Sequence, residues 1–136
     1  MNRAEVLAFI RANGRAVLGT RRQDGGMQLS PVLVAVDDDD SLIISTRESA
    51  IKTKNVRRDS RVYLCVVNPG FFGEWAQAEG PATVESLPQA MEGLVRYYRL
   101  LRGEHPDWDD YRAAMQREQR VLLRINVERV GPTRGG

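Results

Sequence analysis

The sequence predicts a mainly β domain of the α+β class, in which six antiparallel strands curl into a small barrel with flanking helices. Three observations support this class. Short apolar runs recur along the chain, Asp24-Gly25 separates the first two runs, and helical periodicity appears at both ends and in the middle. Asp-Gly accepts the positive φ of a tight hairpin turn, so the neighbouring runs are expected to pair antiparallel. A barrel is the economical closure of such a sheet.

The first half of the chain supplies one helix and three strands. Apolar residues at helical spacing predict a helix over residues 2–12, ended by a left-handed residue at Asn13-Gly14. Strand-like runs follow at 15–22, 27–36 and 41–46. We interpret the four acids at 37–40 as a solvated hairpin loop, because a calcium loop needs alternating ligands, a glycine and a distal glutamate.

The second half supplies three more strands, predicted at 61–68, 74–85 and 121–127. Gly80-Pro81 interrupts the long middle strand and indicates a bulge or barrel corner. The 3.6-residue period of 88–102, followed by Gly103, predicts a helix, and Asp107 is expected to cap a second, shorter one. All 136 residues are assigned to one domain, with 131–136 as a loose tail.

Composition excludes several classes of site. The 136 residues are 42% apolar, enough for one core, and include one cysteine and one histidine. An internal disulfide is therefore impossible, and neither a zinc site nor a Ser-His-Asp triad is predicted. No apolar run reaches the length of a membrane span and the start lacks a signal-type core, so a cytoplasmic protein is expected. The net charge of +2 is low for a dedicated nucleic-acid binder.

Residues 44–62 form a basic crossover between two predicted strands, with six basic and two acidic side chains between 47 and 61. A helix is expected to begin near Ser49 or Ala50, with Ser49 as its N-cap. Its first turn would hold Lys52, although the N-terminus of a helix carries partial positive charge. A bound anion would remove this conflict, whereas a lysine extended into solvent would tolerate it. The residues alone leave both readings open.

Three segments together resemble the pyridoxamine 5′-phosphate oxidase-like split β-barrel family, in particular its branch that uses the deazaflavin coenzyme F420. They are S-T-x5-K-T-x-N-V-x2-D-x-R-V at 45–62, A-Q-A-E-G at 76–80 and G-E-H-P-D-W-D-D-Y-R at 103–112. The likeness covers roughly residues 3–130. It implies a split β-barrel homodimer with two cofactor sites at the subunit interface, and an F420-dependent reductase that transfers hydride to a small organic substrate.

The resemblance also implies the cofactor-binding residues. The crossover positions match those that hold the cofactor phosphate in relatives: Ser45, Thr46, Ala50 through its backbone, Lys52 and Thr53. Gln28, Ser30 and Val32 lie on the strand that borders the ring in relatives, and Trp75 and Gln77 lie on the strand presented to the other subunit's site. Each position also has a structural reading, as a strand-end hydroxyl, a surface polar group or interface packing. No catalytic side chain is assigned, because the cofactor supplies the hydride.

Two departures from the family leave alternatives open. Residues 126–136 lack the basic, aromatic segment with which pyridoxamine phosphate oxidases end, and Ala50 stands where some relatives carry arginine. The first departure puts oxidation of pyridoxamine phosphate in doubt, and the second removes one possible phosphate ligand and bears on the choice of cofactor. An FMN-binding pyridoxamine 5′-phosphate oxidase-like flavoprotein is the first alternative. The second is a non-catalytic cofactor-binding protein. A nucleic-acid-binding barrel is disfavoured, because no aromatic residues alternate with the basic side chains of the crossover.

Overall fold

The computed structural model describes residues 1–132 as an antiparallel sheet with four flanking helices. In chain order the elements are α1 (Arg3–Ala12), β1 (Arg15–Arg21), β2 (Met27–Leu33), β3 (Ala35–Val36), β4 (Leu42–Arg47), α2 (Ile51–Arg58), β5 (Arg61–Val67), β6 (Trp75–Glu85), α3 (Met91–Arg102), α4 (Trp108–Arg117), β7 (Arg120–Ile125) and β8 (Arg129–Gly131). The sheet order is β2-β1-β5-β6-β7-β4-β3, and β8 pairs with β6. The fold is thus α+β, with the sheet forming a half-barrel.

The described residues contain eight strands, so the predicted count of six is wrong. One extra strand arises because the predicted run 27–36 divides at Val34 into β2, which pairs with β1, and β3, which pairs with β4. The other is β8, whose last residue, Gly131, pairs with Gln77. Gly131 had been assigned to the loose tail, of which residues 133–136 lie outside the described part of the chain.

The long strand β6 turns a corner where the sequence indicated one. Residues Trp75 to Pro81 pair with β5, whereas Ala82 to Glu85 pair with β7. A Cβ atom at Gly80 would overlap the backbone carbonyl of Asn126. Glycine is therefore required at this corner, because the chain after β7 passes directly against it.

Local signals explain three of the helix ends. Asn2 and Glu5 form a reciprocal capping box at the start of α1, and Asp107 caps α4 by accepting the N–H of Asp110 at 3.1 Å. Gly103 ends α3 with a φ of 79°, as predicted. The predicted left-handed end of α1 is wrong, because Asn13 is extended with a φ of −140°.

The core lies in two clusters on opposite faces of the sheet. One packs α1 and α2 against the barrel interior through residues such as Ile10, Leu18 and Leu64. The other packs α3 and α4 against the outer side of β4 and β7 through Ile43, Leu94, Tyr111 and Leu122. Within residues 1–132, no helix is both long and apolar enough to cross a membrane.

The acidic loop between β3 and β4 is only partly solvated, which corrects the sequence interpretation. Asp37 is 4% exposed and its carboxylate accepts hydrogen bonds from Arg96 and Arg124. These guanidinium groups, Arg96 above all, hold the pKa of Asp37 well below its usual range. Because Arg96 lies in α3 and Arg124 in β7, the carboxylate ties the helical layer to the sheet.

Candidate functional site

The candidate site begins at the crossover from β4 to α2. The N-cap of α2 is Ala50, since the N–H of Lys54 bonds to its carbonyl at 3.2 Å. The predicted cap, Ser49, is therefore wrong: it lies one residue too early, and α2 has no side-chain cap. The N–H of Ala50 itself donates to Arg47 at 3.1 Å. The donors that helix geometry leaves without intrahelical partners are those of residues 51–53.

Lys52 is the cation of this site. It is half-buried, and its Nζ lies 3.3 Å from the hydroxyl of Ser30 on β2. Within residues 1–132, no carboxylate lies within ion-pairing distance of it. Burial, and secondarily the positive charge of Arg120, lowers the pKa of Lys52. This environment disfavours an uncompensated ammonium and would favour a bound anion.

A buried polar chain links α2 to β1 and β2. The amide of Asn55 donates to the hydroxyl of Thr20 at 3.1 Å, and that hydroxyl lies 3.4 Å from the side-chain oxygen of Gln28. Thr20 is fully buried and Asn55 is 4% exposed. Neither residue was predicted from sequence as part of the site. The available signal was Asn55 itself, a polar residue beside Val56 on the predicted apolar face of α2.

The predicted residues of β2 face the barrel interior. Gln28, Ser30 and Val32 lie opposite Thr20, Leu18 and Ala16, respectively, whose side chains are buried. Val32 packs against the apolar core. Gln28 and Ser30 had been considered as ordinary outer-face polar groups, but they share the inner face with the hydroxyl of Thr20 and the ammonium of Lys52.

The three hydroxyl residues of the crossover have different surroundings. Thr53 is fully buried and its hydroxyl donates to the carbonyl of Arg47 at 2.7 Å, which fixes the turn. Thr46 is 3% exposed and shares its face of β4 with the core residue Ile44. Ser45 faces the opposite way, into a cleft of about 370 Å³ beneath α3 and α4. The structure therefore brings together Ser30, Lys52 and the first turn of α2, and separates Thr46 from Ser45.

Trp75 and Gln77 lie apart from the other predicted residues. Gln77 pairs with Cys65 in β5, Cys65 pairs with Val17 in β1, and Val17 pairs with Pro31 in β2. Three strand spacings, about 14 Å, therefore separate Gln77 from β2. These side chains also point away from the barrel interior, and Gln77 lines a patch with Leu29, which is 68% exposed. Within one chain, the ten predicted residues do not form a single pocket.

The remaining arginines of the crossover are paired within the chain. Arg57 contacts Glu48, Arg58 donates to the carbonyl of Arg21 at 2.7 Å, and Arg61 contacts Glu79 and Glu128. These contacts fix both ends of α2 and the start of β5. Among the described residues, no group of three or more His, Cys, Asp or Glu side chains is arranged to hold a metal ion.

Comparisons with solved structures show the same fold. A conserved hypothetical protein from Mycobacterium tuberculosis is 23% identical, with a TM-score of 0.76 over 100% of this chain and 93% of that chain. A protein described as an F420 reductase is 16% identical, with a TM-score of 0.72 over 91% of this chain and 94% of that chain. A heme binding protein from Mycobacterium smegmatis is 16% identical, with a TM-score of 0.68 over 96% of this chain and 53% of that chain.

A protein-family model shows the membership that the sequence resemblance implied. The model described as pyridoxamine 5′-phosphate oxidase matches residues 3–134. That match spans every helix and strand, from α1 to β8. The chain therefore belongs to the pyridoxamine 5′-phosphate oxidase family.

Proposed function

We propose that this protein is an F420-dependent oxidoreductase that reduces a small organic substrate. The observation that carries the proposal is Lys52, a half-buried ammonium at a helix N-terminus whose first turn contains no acid. A phosphate is the anion that such a site accommodates, through N–H donors, a hydroxyl and a cation. Membership of the family and the fold shared with an F420 reductase support a phosphate-bearing redox cofactor.

The donor set fits the phosphate of such a cofactor. Lys52 would supply charge, Ser30 a hydroxyl, and residues 51–53 their backbone N–H groups. The hydroxyl of Thr53 already donates to the carbonyl of Arg47, so Thr53 would bind the phosphate through its backbone N–H. Arg120, which lies close enough to lower the pKa of Lys52, adds a positive charge that its ion pair with Glu118 reduces. When bound, a reduced deazaflavin supplies the hydride, and the protein orients it and excludes water.

The polar chain behind Lys52 would position the ring. Asn55 holds Thr20, and Thr20 contacts Gln28 on the strand proposed to border the ring. Because Thr20 and Asn55 are buried, Gln28 is anchored at one end of its amide while the other end can contact a ligand. Orientation by preformed contacts costs little entropy on binding.

The first test distinguishes F420 from FMN as the cofactor. It also compares cofactor binding by the Lys52→Ala and Lys54→Ala variants. Lys54 is an exposed lysine on the same helix, so it controls for the loss of one charge. Titration by fluorescence should show saturable F420 binding that Lys52→Ala weakens by about tenfold or more, with Lys54→Ala near wild type. FMN binding with no F420 binding would replace the proposal by an FMN flavoprotein. Equal affinity in the two variants would refute the phosphate assignment.

Binding without turnover would indicate a non-catalytic cofactor-binding protein. The decisive measurement is oxidation of reduced F420 in the presence of candidate acceptors, followed at the cofactor's absorbance band. Quinones and nitroaromatic compounds are suitable acceptors because both accept hydride equivalents. Acceptor-dependent oxidation by the wild type and its loss in Lys52→Ala would support a reductase.

We infer that the complete site is formed by two chains. Gln77 and Trp75 face the opposite side of the sheet from Ser30, and Gln77 shares a patch on that face with exposed Leu29 and Val17. An exposed apolar patch on a sheet face favours association, and a twofold dimer would place this patch of one chain beside the crossover of the other.

Subunit mixing tests the two-chain site. Lys52→Ala and Gln77→Ala homodimers should each bind cofactor weakly. If Lys52 and Gln77 serve one site from different chains, unfolding and refolding an equal mixture should restore about a quarter of the wild-type sites, because half of the dimers are mixed and each has one intact site. No recovery, with mixed dimers demonstrated by mass spectrometry, would place both residues in sites formed by one chain.

A further inference from the structure

The cleft beneath α3 and α4 has aromatic walls that the proposed cofactor site does not use. It has a volume of about 370 Å³ and is lined by Tyr97 and Tyr98 from α3 and by Tyr111 and Met115 from α4. The ring of Tyr98 lies 4.9 Å from His105 and 5.2 Å from Tyr111, centroid to centroid. Aromatic walls of this kind suit a planar ring, which gains ring–ring contacts as well as burial.

Hydrogen bonds hold two of these tyrosines in place. The hydroxyl of Tyr97 donates to the carbonyl of Leu33 at 2.8 Å, and that of Tyr111 donates to the carbonyl of Leu94 at 2.8 Å. Burial raises the pKa of Tyr97, and it raises that of Tyr111 to about 12, so both hydroxyls remain donors across the physiological range. The walls are therefore formed before a ligand arrives, which lowers the entropic cost of binding.

One cation at the cleft, Arg102, is available to an anionic group on the ligand. Glu118 pairs with Arg120 at 2.8 Å, so these two charges largely cancel. Asp110 lies in the first turn of α4, where the helix N-terminus stabilises a carboxylate. Arg102 has no acidic partner within 4.0 Å in residues 1–132.

His105 offers a second donor at the same cleft. Its Nδ1 accepts the N–H of Asp107 at 2.9 Å, so the neutral ring carries its proton on Nε2. A guanidinium and an imidazole N–H beside an aromatic wall can together bind a carboxylate attached to a flat ring.

We propose that this cleft is a second ligand site, which binds a small planar aromatic carboxylate. The volume is near the lower end of small-molecule pockets, so it limits the ligand to one or two rings. Of the predicted cofactor residues, only Ser45 lines the cleft. The inference goes beyond the proposed cofactor function and does not depend on it, since the ligand is recognised by Tyr98, Arg102 and His105.

Calorimetric titration of the cofactor-free, full-length protein with cinnamate and with its neutral isostere cinnamamide tests the proposal. Cinnamate should bind saturably and about tenfold more tightly than the amide. Arg102→Gln should remove that preference, whereas Arg117→Gln, which changes another exposed arginine at the end of a helix but outside the cleft, should retain it. Tyr98→Leu should weaken both ligands by removing the aromatic wall.

Four results would overturn the proposal. They are no saturable binding of cinnamate at millimolar concentration, equal affinities for the acid and the amide, an unchanged preference in Arg102→Gln, and competitive displacement of cinnamate by FMN or F420, which would assign the cleft to the cofactor ring. Circular dichroism of each variant separates loss of binding from loss of folding. Failure of the Lys52→Ala test leaves the first three outcomes unchanged, because they are measured without a cofactor.

Discussion

Asp37→Asn tests whether the ion-pair network between α3 and β7 stabilises the fold. The carboxylate accepts two hydrogen bonds from Arg96, at 2.9 and 3.0 Å, and one from Arg124 at 2.8 Å. It also accepts the N–H of Asp38 at 2.9 Å. An asparagine of nearly the same shape keeps the packing but removes the negative charge that two guanidinium groups share.

The size of the effect follows from the exposure of the partners. Removing one member of a buried ion pair typically costs about 3–5 kcal/mol. The side chains of Arg96 and Arg124 are 38% and 21% exposed, and Arg124 also pairs with Glu85, so water and Glu85 compensate part of the loss. We therefore expect the free energy of unfolding to fall by about 2–3 kcal/mol, which lowers Tm by roughly 10 °C.

Urea unfolding of Asp37→Asn and Asp38→Asn provides the measurement and its control. Asp38 is exposed and adjacent, so its substitution should change stability by less than about 0.5 kcal/mol. The pKa of Asp37 is lowered in the folded state, so its contribution is complete above the unfolded pKa, near 3.8, and is lost as the pH falls below it. The difference in free energy of unfolding between wild type and Asp37→Asn should therefore decrease at acid pH. Equal stability of the two variants at pH 7 would refute the reasoning.

Two further substitutions test the barrel corner and the contact between α3 and β2. Gly80→Ala should destabilise the protein by about 2 kcal/mol or more in urea unfolding, because its Cβ would overlap the carbonyl of Asn126; wild-type stability would show that the corner can open. Tyr97→Phe should lower the free energy of unfolding by about 1–2 kcal/mol, because it leaves the carbonyl of Leu33 without its donor. The control Tyr63→Phe should be nearly neutral. Equal effects of the two substitutions would show that the hydroxyl of Tyr97 does not have this stabilising role.

The sequence predicted those parts of the fold that local patterns determine. The Asp24-Gly25 hairpin, the capping of α4 by Asp107 and the corner at Gly80 each depend on the conformational preference of a few adjacent residues. The division of 27–36 into two strands does not depend on such local preferences. Val34 sits in an uninterrupted apolar run, and the strand breaks there because β2 pairs with β1 while β3 pairs with β4, which are long-range contacts.

The candidate site divides in the same way. Lys52 could be proposed from sequence, because a cation in the first turn of a helix is a local anomaly. Asp37 was misread, because its partners Arg96 and Arg124 are 59 and 87 residues away. Thr20 was not selected, since a threonine in a strand is unremarkable until the fold places Asn55 beside it. Gln77 points outward and Gln28 points inward, and this difference could be seen only from the register of strand pairing.

The position of Lys52 is set by the frame of α2. Thr53 fixes the first turn to Arg47, Asn55 fixes the middle to Thr20, and Arg58 fixes the last turn to the carbonyl of Arg21. A helix held at three points keeps the Cα of Lys52 beside β2, where its ammonium lies 3.3 Å from the hydroxyl of Ser30. The hydrogen bonds that stabilise the crossover therefore also set where an anion would meet Lys52, and the proposed phosphate would compensate the cost of burying its charge.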